Sequence, residues 1–463
     1  MKWTYKIYIS AVAMGVVASC QSAKTYHKQE TIDQALYRAL DNEDTLSIGM
    51  MPWQMLFKDV KLQALITEGI ENNLDLKMGV ERLYASQALV KQAKVAFLPD
   101  LDLGGGVKRS RLAYPQGFGF VKNATQHNAF ATTSWEIDVW GKLASSKRAA
   151  YYRLLQSDAG QKAVQTQIVA QIADYYYQLL ALDQQVGIIE QTIVNRKEDI
   201  TVMQKLKESN VVTAAAVVQS EANYYEAAAT LPDVKRQIRE VENALSVLLG
   251  KPVGTIDRTS LAGQELPVKP SIGIPADLLQ HRPDVMVAEF ELAAYFEDVN
   301  VAKRAFYPAL TITGGVGFSS YEFKDWFTST GLFANIAAGV LQPIFTKRQN
   351  KTRLEVAKAS YQEKVYNFQK TLLVAGQEVS DALYAYERAG EQLSMRQQQV
   401  DKLALAVDYT KKLLVYHSST NYTDVLTSEQ AHLYAQLALS NDHLAEWQAI
   451  IKLYKALGGG WRD

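Results

Sequence analysis

Leu101-Asp-Leu-Gly-Gly-Gly-Val-Lys108 and Leu310-Thr-Ile-Thr-Gly-Gly-Val-Gly-Phe318 decide how this chain is read. In the first, Leu101, Leu103 and Val107 fall on one side, with Asp102 and Lys108 on the other. A period of two marks a strand with two unlike faces. The two stretches are also one stretch written twice. At an offset of 209, Asp75, Leu83, Ala93, Lys94, Phe97, Pro99, Leu101 and Gly105 meet identical residues at Asp284, Leu292, Ala302, Lys303, Phe306, Pro308, Leu310 and Gly314. At an offset of 208, Ser220-Glu221 matches Ser428-Glu429 and Leu249-Gly250 matches Leu457-Gly458. An offset this nearly constant makes the chain a tandem repeat.

Thr132-Thr-Ser-Trp-Glu-Ile-Asp-Val-Trp140 alternates in the same way, and Leu332 to Val340 does so more weakly through Ala334, Ile336 and Ala338. The reading is four strands, at about 100–110, 128–140, 309–319 and 332–344, in two hairpin-like pairs. The remainder is helical. No proline occurs between Pro115 and Pro232 or after Pro343, and these stretches are rich in Ala, Leu, Gln, Glu and Lys, which are good helix formers. Lys142 to about Lys207 and Lys347 to about His417 read as single helices, each about 100 Å long at 1.5 Å per residue. Helices of that length need partners along their whole extent, so coiled-coil packing is expected. Each copy is thus helix–strand–strand–long helix–turn–helix. Five prolines crowd between Pro252 and Pro283 as a linker.

Composition narrows the function. The chain has 463 residues, 48% hydrophobic and 21% charged, with 49 basic and 49 acidic side chains. That balance argues against a nucleic-acid partner. The single cysteine excludes a disulfide framework or a multi-Cys metal site,. Its position explains it. Met1 to Lys6 is a short positive region, Ile7 to Val17 is apolar, and Val17-Ala18-Ser19 leads with small residues into Cys20. This is a signal peptide ending in a stretch that resembles a bacterial lipobox, with Cys20 as the lipidated N-terminus. Asp is absent from the next position, Gln21, which suits outer-membrane sorting.

Four strands of about ten residues cannot close a barrel alone, and an unpaired edge is untenable in lipid. If they enter a membrane, several chains must donate strands to one barrel. Leu101, Trp135, Ile137, Leu310 and Ile312 would then face outward, and Asp102, Lys108, Glu136 and Asp138 a wet lumen. A soluble sandwich edge would alternate similarly.

Trp53-Gln-Met-Leu-Phe57, Asn72-Asn-Leu-Asp-Leu76, Pro275-Ala-Asp-Leu-Leu-Gln-His-Arg-Pro-Asp-Val-Met-Val-Ala-Glu289, Leu341-Gln-Pro-Ile-Phe345 and Leu457-Gly-Gly-Gly-Trp461 together resemble the TolC-like outer-membrane factors, across essentially the whole mature chain. The resemblance implies a mainly α fold with a small β part. Long coiled-coil helices would form an α-barrel, continuing a trimeric twelve-stranded transmembrane β-barrel to which each chain gives four antiparallel strands. It implies a homotrimer in the outer membrane of a Gram-negative bacterium, lipid-anchored, with a large periplasmic part. The partners it implies are a periplasmic adaptor, an inner-membrane pump of RND type, and outer-membrane lipid. The expected division is 1–19 lipoprotein signal peptide, 20–57 lipid-anchored segment, 58–250 first repeat, 251–275 linker, 276–458 second repeat and 459–463 tail.

Other chemistries leave little trace. The sequence contains no G-x-x-x-x-G-K-[ST], no G-x-S-x-G and no H-E-x-x-H,. The six histidines show no ligand spacing. No enzyme, cofactor or metal site is expected. The function read here is a passive exit duct for drugs, toxic compounds or metal ions. An outer-membrane duct for type I protein secretion shares the fold, and a coiled-coil lipoprotein without a pore is the third class.

Two further sites come from the repeat and the resemblance. The long helices should reverse at Ser209-Asn-Val-Val-Thr213 and Ser418-Ser-Thr-Asn-Tyr422, where Ser, Thr and Asn cap the returning helices. Asn210, Val211, Val212, Thr213, Thr420 and Asn421 are the expected adaptor-docking tips. Thr423, Asp424, Thr427 and Gln430 open the last helix, where the family's tunnel narrows. Many family members carry an Asp and an Arg at the places of Thr427 and Gln430; this chain does not, so closure by packing and neutral hydrogen bonds is expected.

Overall fold

The computed structural model describes residues 26, 48–111, 113, 123–264, 281–416 and 422–462. Cys20, Thr420 and Asn421, singled out from the sequence, lie outside the described residues. The described elements run in the expected order: α1 (Val60–Asn72), α2 (Leu74–Val95), β1 (Asp102–Arg111), β2 (Asn123–Ile137), α3 (Lys142–Glu208), α4 (Ala214–Leu248), α5 (Pro283–Arg304), β3 (Ala309–Ser320), β4 (Leu332–Leu341), α6 (Gln349–Tyr416) and α7 (Tyr422–Ala456). α3 has 67 residues and α6 has 68. Pro232 does not end α4, which continues through it.

The chain divides into two compact units. One gathers Leu83–Ser157 and Ala288–Phe368, together with Tyr26. It holds the four-stranded antiparallel sheet, in the order β1-β2-β3-β4, so that the two hairpins are joined by a β2–β3 pairing between the repeats. β2 departs from its sequence reading at both ends. It begins at Asn123, because residues 123–131 pair with β1 despite carrying little apolar alternation. It ends at Ile137, because Asp138 leaves the strand to cap α3, its carboxylate accepting from Leu143 N at 3.0 Å and Ala144 N at 2.8 Å. An acceptor there satisfies helix N–H groups that have no partner of their own. Arg148 fixes α3 to α5 by donating to both oxygens of Glu297, at 2.7 and 2.9 Å. The Tyr26 ring packs edge-on against Tyr152 and Phe296.

The other unit gathers residues of Glu30–Arg82, Asp158–Val287 and Gln369–Asp463. Its core is aromatic and aliphatic. Trp53 and Phe57 from the leading segment are buried among Ile172, Tyr177, Leu245, Trp447 and Tyr454, with Tyr177 stacked on Trp447 at 4.2 Å. Asp59 caps α1 and accepts from the Tyr176 hydroxyl at 2.7 Å. Among the described residues, no helix is long and apolar enough to cross a membrane; this says nothing of the strands.

Candidate functional site

Register sorts the sheet into two chemistries. Residues opposite one another share a face. Leu103 stands opposite Ala131, Ala131 opposite Val316, and Val316 opposite Ala334. Trp135, Ile312 and Ala338 form a second row on that face, and Ile137, Leu310 and Val340 a third. The face is bare: Leu103 is 83% and Ile336 82% exposed. On the opposite face, Asp102, Thr132, Gly315 and Asn335 form one row, Lys108 and Gln126 another, and Glu136, Thr311 and Gly339 a third. The outward and inward sets read from alternation therefore separate as expected, except that Leu101 and Asp138 lie beyond the strands. Phe130 and Phe333 are aromatic side chains on the polar face, in one row with Gly104 and Gly317, and Phe130 is set between the two glycines. A Cβ at either glycine would come within 2.7 Å of Phe130, so close packing accounts for part of the glycine run. Among the described residues, β1 and β4 end the sheet with no strand beyond them.

The first reversal is a Schellman turn. Asn210 takes a left-handed φ of 56°, its N–H reaches Lys207 O at 3.0 Å, and Val211 N–H reaches Leu206 O at 2.8 Å. Asn tolerates that conformation better than other non-glycine residues. Thr213 caps α4. The two valines differ. Val211 is exposed, whereas Val212 packs on the small core of Met203, Val217, Leu414, Tyr422 and Val425.

At the start of α7, Thr423, Asp424 and Thr427 are exposed, and the Thr427 hydroxyl donates to Thr423 O in its own helix. Gln430 donates to Glu226 of α4 at 3.3 Å. Charged groups join the bonding here. One residue away, Glu429 meets Lys411 at 2.6 Å, and Lys411 also meets Asp199 at 2.9 Å. Arg196 Nη1 lies 3.8 Å from Glu429 Oε2, too far for a hydrogen bond, and both atoms are buried without another partner. The cluster lines a cavity of about 510 Å³. Burial first, and the Asp199 charge second, push the Glu429 carboxyl upward. Burial opposes the Lys411 charge, but its two acidic partners outweigh it and hold the ammonium above its ordinary value. The four charges come from three helices, so no local pattern announces them. The one sequence trace is the repeated Ser-Glu pair.

The sequence model of the outer membrane efflux protein family matches residues 65–251 and 274–459. The chain belongs to that family. Among its relatives, the toluene efflux pump outer membrane protein TtgF of Pseudomonas putida is 29% identical over 415 residues, covering 88% of this chain and 85% of the relative. The cation efflux system protein CusC of Escherichia coli O157:H7 is 25% identical over 417 residues, covering 89% and 88%. The fold matches the solved outer membrane protein VceC of Vibrio cholerae with a TM-score of 0.80 at 24% identity, covering 89% of this chain and 98% of that one. It matches the MtrE outer membrane channel of Neisseria gonorrhoeae with a TM-score of 0.83 at 22% identity, covering 96% and 98%.

Each match to the family model ends one residue beyond a glycine with positive φ, Gly250 (66°) or Gly458 (79°). These glycines close the two repeats of the outer membrane efflux protein. In the first, Asn73 donates to Leu248 O at 2.8 Å. In the second, buried Arg282 donates to Ala456 O at 2.8 Å, to both oxygens of Asp284, and to Glu378 at 2.6 Å. The Arg-Pro-Asp block is therefore a clamp on the end of α7.

Proposed function

We propose that this outer-membrane efflux protein works as a homotrimer in a tripartite exporter. Three copies of its sheet close a twelve-stranded barrel that passively conducts small molecules delivered by a periplasmic adaptor and an inner-membrane pump of RND type. The observation that carries the reading is the sheet. It has one apolar, exposed face, one polar face and two open edges. Only closure on other copies leaves no strand edge in lipid. Cys20, carrying an acyl anchor, adds a second hold on the membrane. TtgF is named for toluene and CusC for cations, so the relatives do not share one cargo.

The first helical tip supplies the adaptor contact through Asn210, Val211 and Thr213, with Thr420 and Asn421 completing the ring. Thr423, Asp424, Thr427 and Gln430 narrow the conduit. Half-buried Val212 serves the tip as its packed base. The mass of the detergent-solubilised particle tests the assembly: three chains are expected, and a monomer in every mild detergent would contradict it. Val211→Asp should cut resistance to exported compounds several-fold at unchanged protein level. Val212→Asp should lower the level itself. Full resistance in Val211→Asp, combined with similar charges at Asn210 and Thr213, would remove the docking assignment.

A further inference from the structure

The apolar face of the sheet changes character at its hairpin end. Val107 stands opposite His127, Arg109 opposite Thr125 and Arg111 opposite Asn123. Arg109 and Arg111 thus continue the row of Leu103 and Val107, on the apolar face rather than the polar one. Both are exposed, and no described carboxylate forms an ion pair with either. Beside them, the β3–β4 connection builds an aromatic platform. The His127 ring lies 5.7 Å from Phe323 and 5.3 Å from Trp326, and Trp326 stacks on Phe327 at 4.9 Å. Tyr321, Phe323 and Phe327 are exposed, while His127 Nδ1 and Trp326 Nε1 are buried with no hydrogen-bond partner. Of the other charges on this connection, Lys324 is paired with Glu322, leaving Asp325 as the nearby acid.

An apolar surface running into exposed aromatic rings and then into exposed guanidinium groups matches the depth profile of a leaflet: hydrocarbon, interface, then anionic headgroup. Guanidinium is the side chain best shaped for bidentate phosphate. The hairpin end is the one away from the strand ends that join α2, α3, α5 and α6. We propose that Arg109 and Arg111, with the Tyr321–Phe327 platform, form a docking site for a phosphate-bearing lipid headgroup of the outer leaflet. The proposal rests on the reading of the apolar face as lipid-facing. Lys108, on the polar face of the same strand, takes no part.

The test is lipid retention by the purified full-length oligomer, measured by native mass spectrometry after incubation with diphosphorylated lipid A or with its dephosphorylated form. Wild-type protein should retain the phosphorylated lipid several-fold better. The double variant Arg109→Gln/Arg111→Gln should lose that preference while keeping its oligomeric mass, and Phe323→Ser/Phe327→Ser should weaken retention of both lipids. Lys108→Gln should change nothing. Equal retention of both lipids by wild type, an unaffected arginine variant, or an equal loss in Lys108→Gln would each overturn the site. So would displacement of the lipid by millimolar inorganic phosphate, which marks a free-anion site instead. An oligomer that takes up no lipid of either kind would overturn the lipid-facing reading as well; uptake without phosphate preference overturns the headgroup site alone.

Discussion

The two repeats end in the same place by different chemistry. After each repeat's closing helix, a glycine turns the chain through positive φ, and a side chain two residues ahead of a repeated aspartate (Asp75 or Asp284) holds a carbonyl of the helix's last turn. In the first repeat that side chain is Asn73, neutral, which also accepts from Asp75 N and Leu76 N and so caps α2. In the second it is Arg282, buried and shared between a carbonyl and two acids. Both residues are almost fully covered, at 3% and 5% exposure. Duplication preserved the backbone geometry and let the bonding group diverge. What is retained is the closed helix end, which either a short amide or a long cation can provide.

The largest expected effect breaks the second closure. Arg282→Ala leaves Glu378 and Asp284 without their cation and the Ala456 carbonyl unbonded. Loss of one partner from a fully buried ion pair costs about 3–5 kcal/mol; here Arg282 is buried but its two acids are about half exposed, so the lower end of that range is expected. Thermal unfolding of the oligomer should shift markedly downward, with lower yield of folded protein; an unchanged melting profile would show that the clamp carries no weight. Next comes glycine. A Cβ on Gly250 would lie 2.5 Å from the Asn72 carbonyl oxygen, while one on Gly458 would lie 3.2 Å from Arg282 Cα. Strain at positive φ alone costs about 1–3 kcal/mol. Gly250→Ala should therefore destabilise more than Gly458→Ala, and the reverse order would break the packing argument.

Asn73→Ala should cost about 1–3 kcal/mol, the range for leaving a buried carbonyl unbonded, and so less than Arg282→Ala. Equal losses would mean that the charge in the second repeat adds nothing. The smallest effect is that of pH. Burial works to raise the Asp284 carboxyl, but the Arg282 guanidinium and the Val285 N–H outweigh it and hold the group below its ordinary value. A carboxyl lowered by folding stabilises the fold above its unfolded pKa, and that contribution is lost as pH falls through the lowered value. Acidification below the usual carboxylate range should therefore narrow the gap in melting temperature between wild type and an Asp284→Asn variant. A gap that holds constant into strong acid would remove the charge from the account.

The duplication was legible in the sequence because identical residues recur at one offset, and the strands were legible where apolar and polar residues alternate. Asn73 and Arg282 escaped that search, since equivalent places filled by different chemistry leave no identity to find. β2 was misplaced for a related reason: its first half pairs through backbone bonds that its side chains do not announce, and Asp138 reads as a strand residue until its cap is seen. The reversal at Asn210 was legible from the repeat and from its Ser, Asn and Thr, but the division of labour between Val211 and Val212 needed the fold. The Glu429 cluster needed it too, because its partners lie on three helices.

If copies of this sheet close a water-filled conduit, the oligomer must pass ions. The direct measurement is the conductance of the purified oligomer in a planar lipid bilayer. Discrete insertion steps are expected, each adding a persistent ionic conductance, with larger steps when Thr423, Thr427 and Gln430 are all replaced by small residues. Oligomers that insert into the bilayer yet pass no current, in the native form and in that triple variant alike, would contradict closure into a conduit.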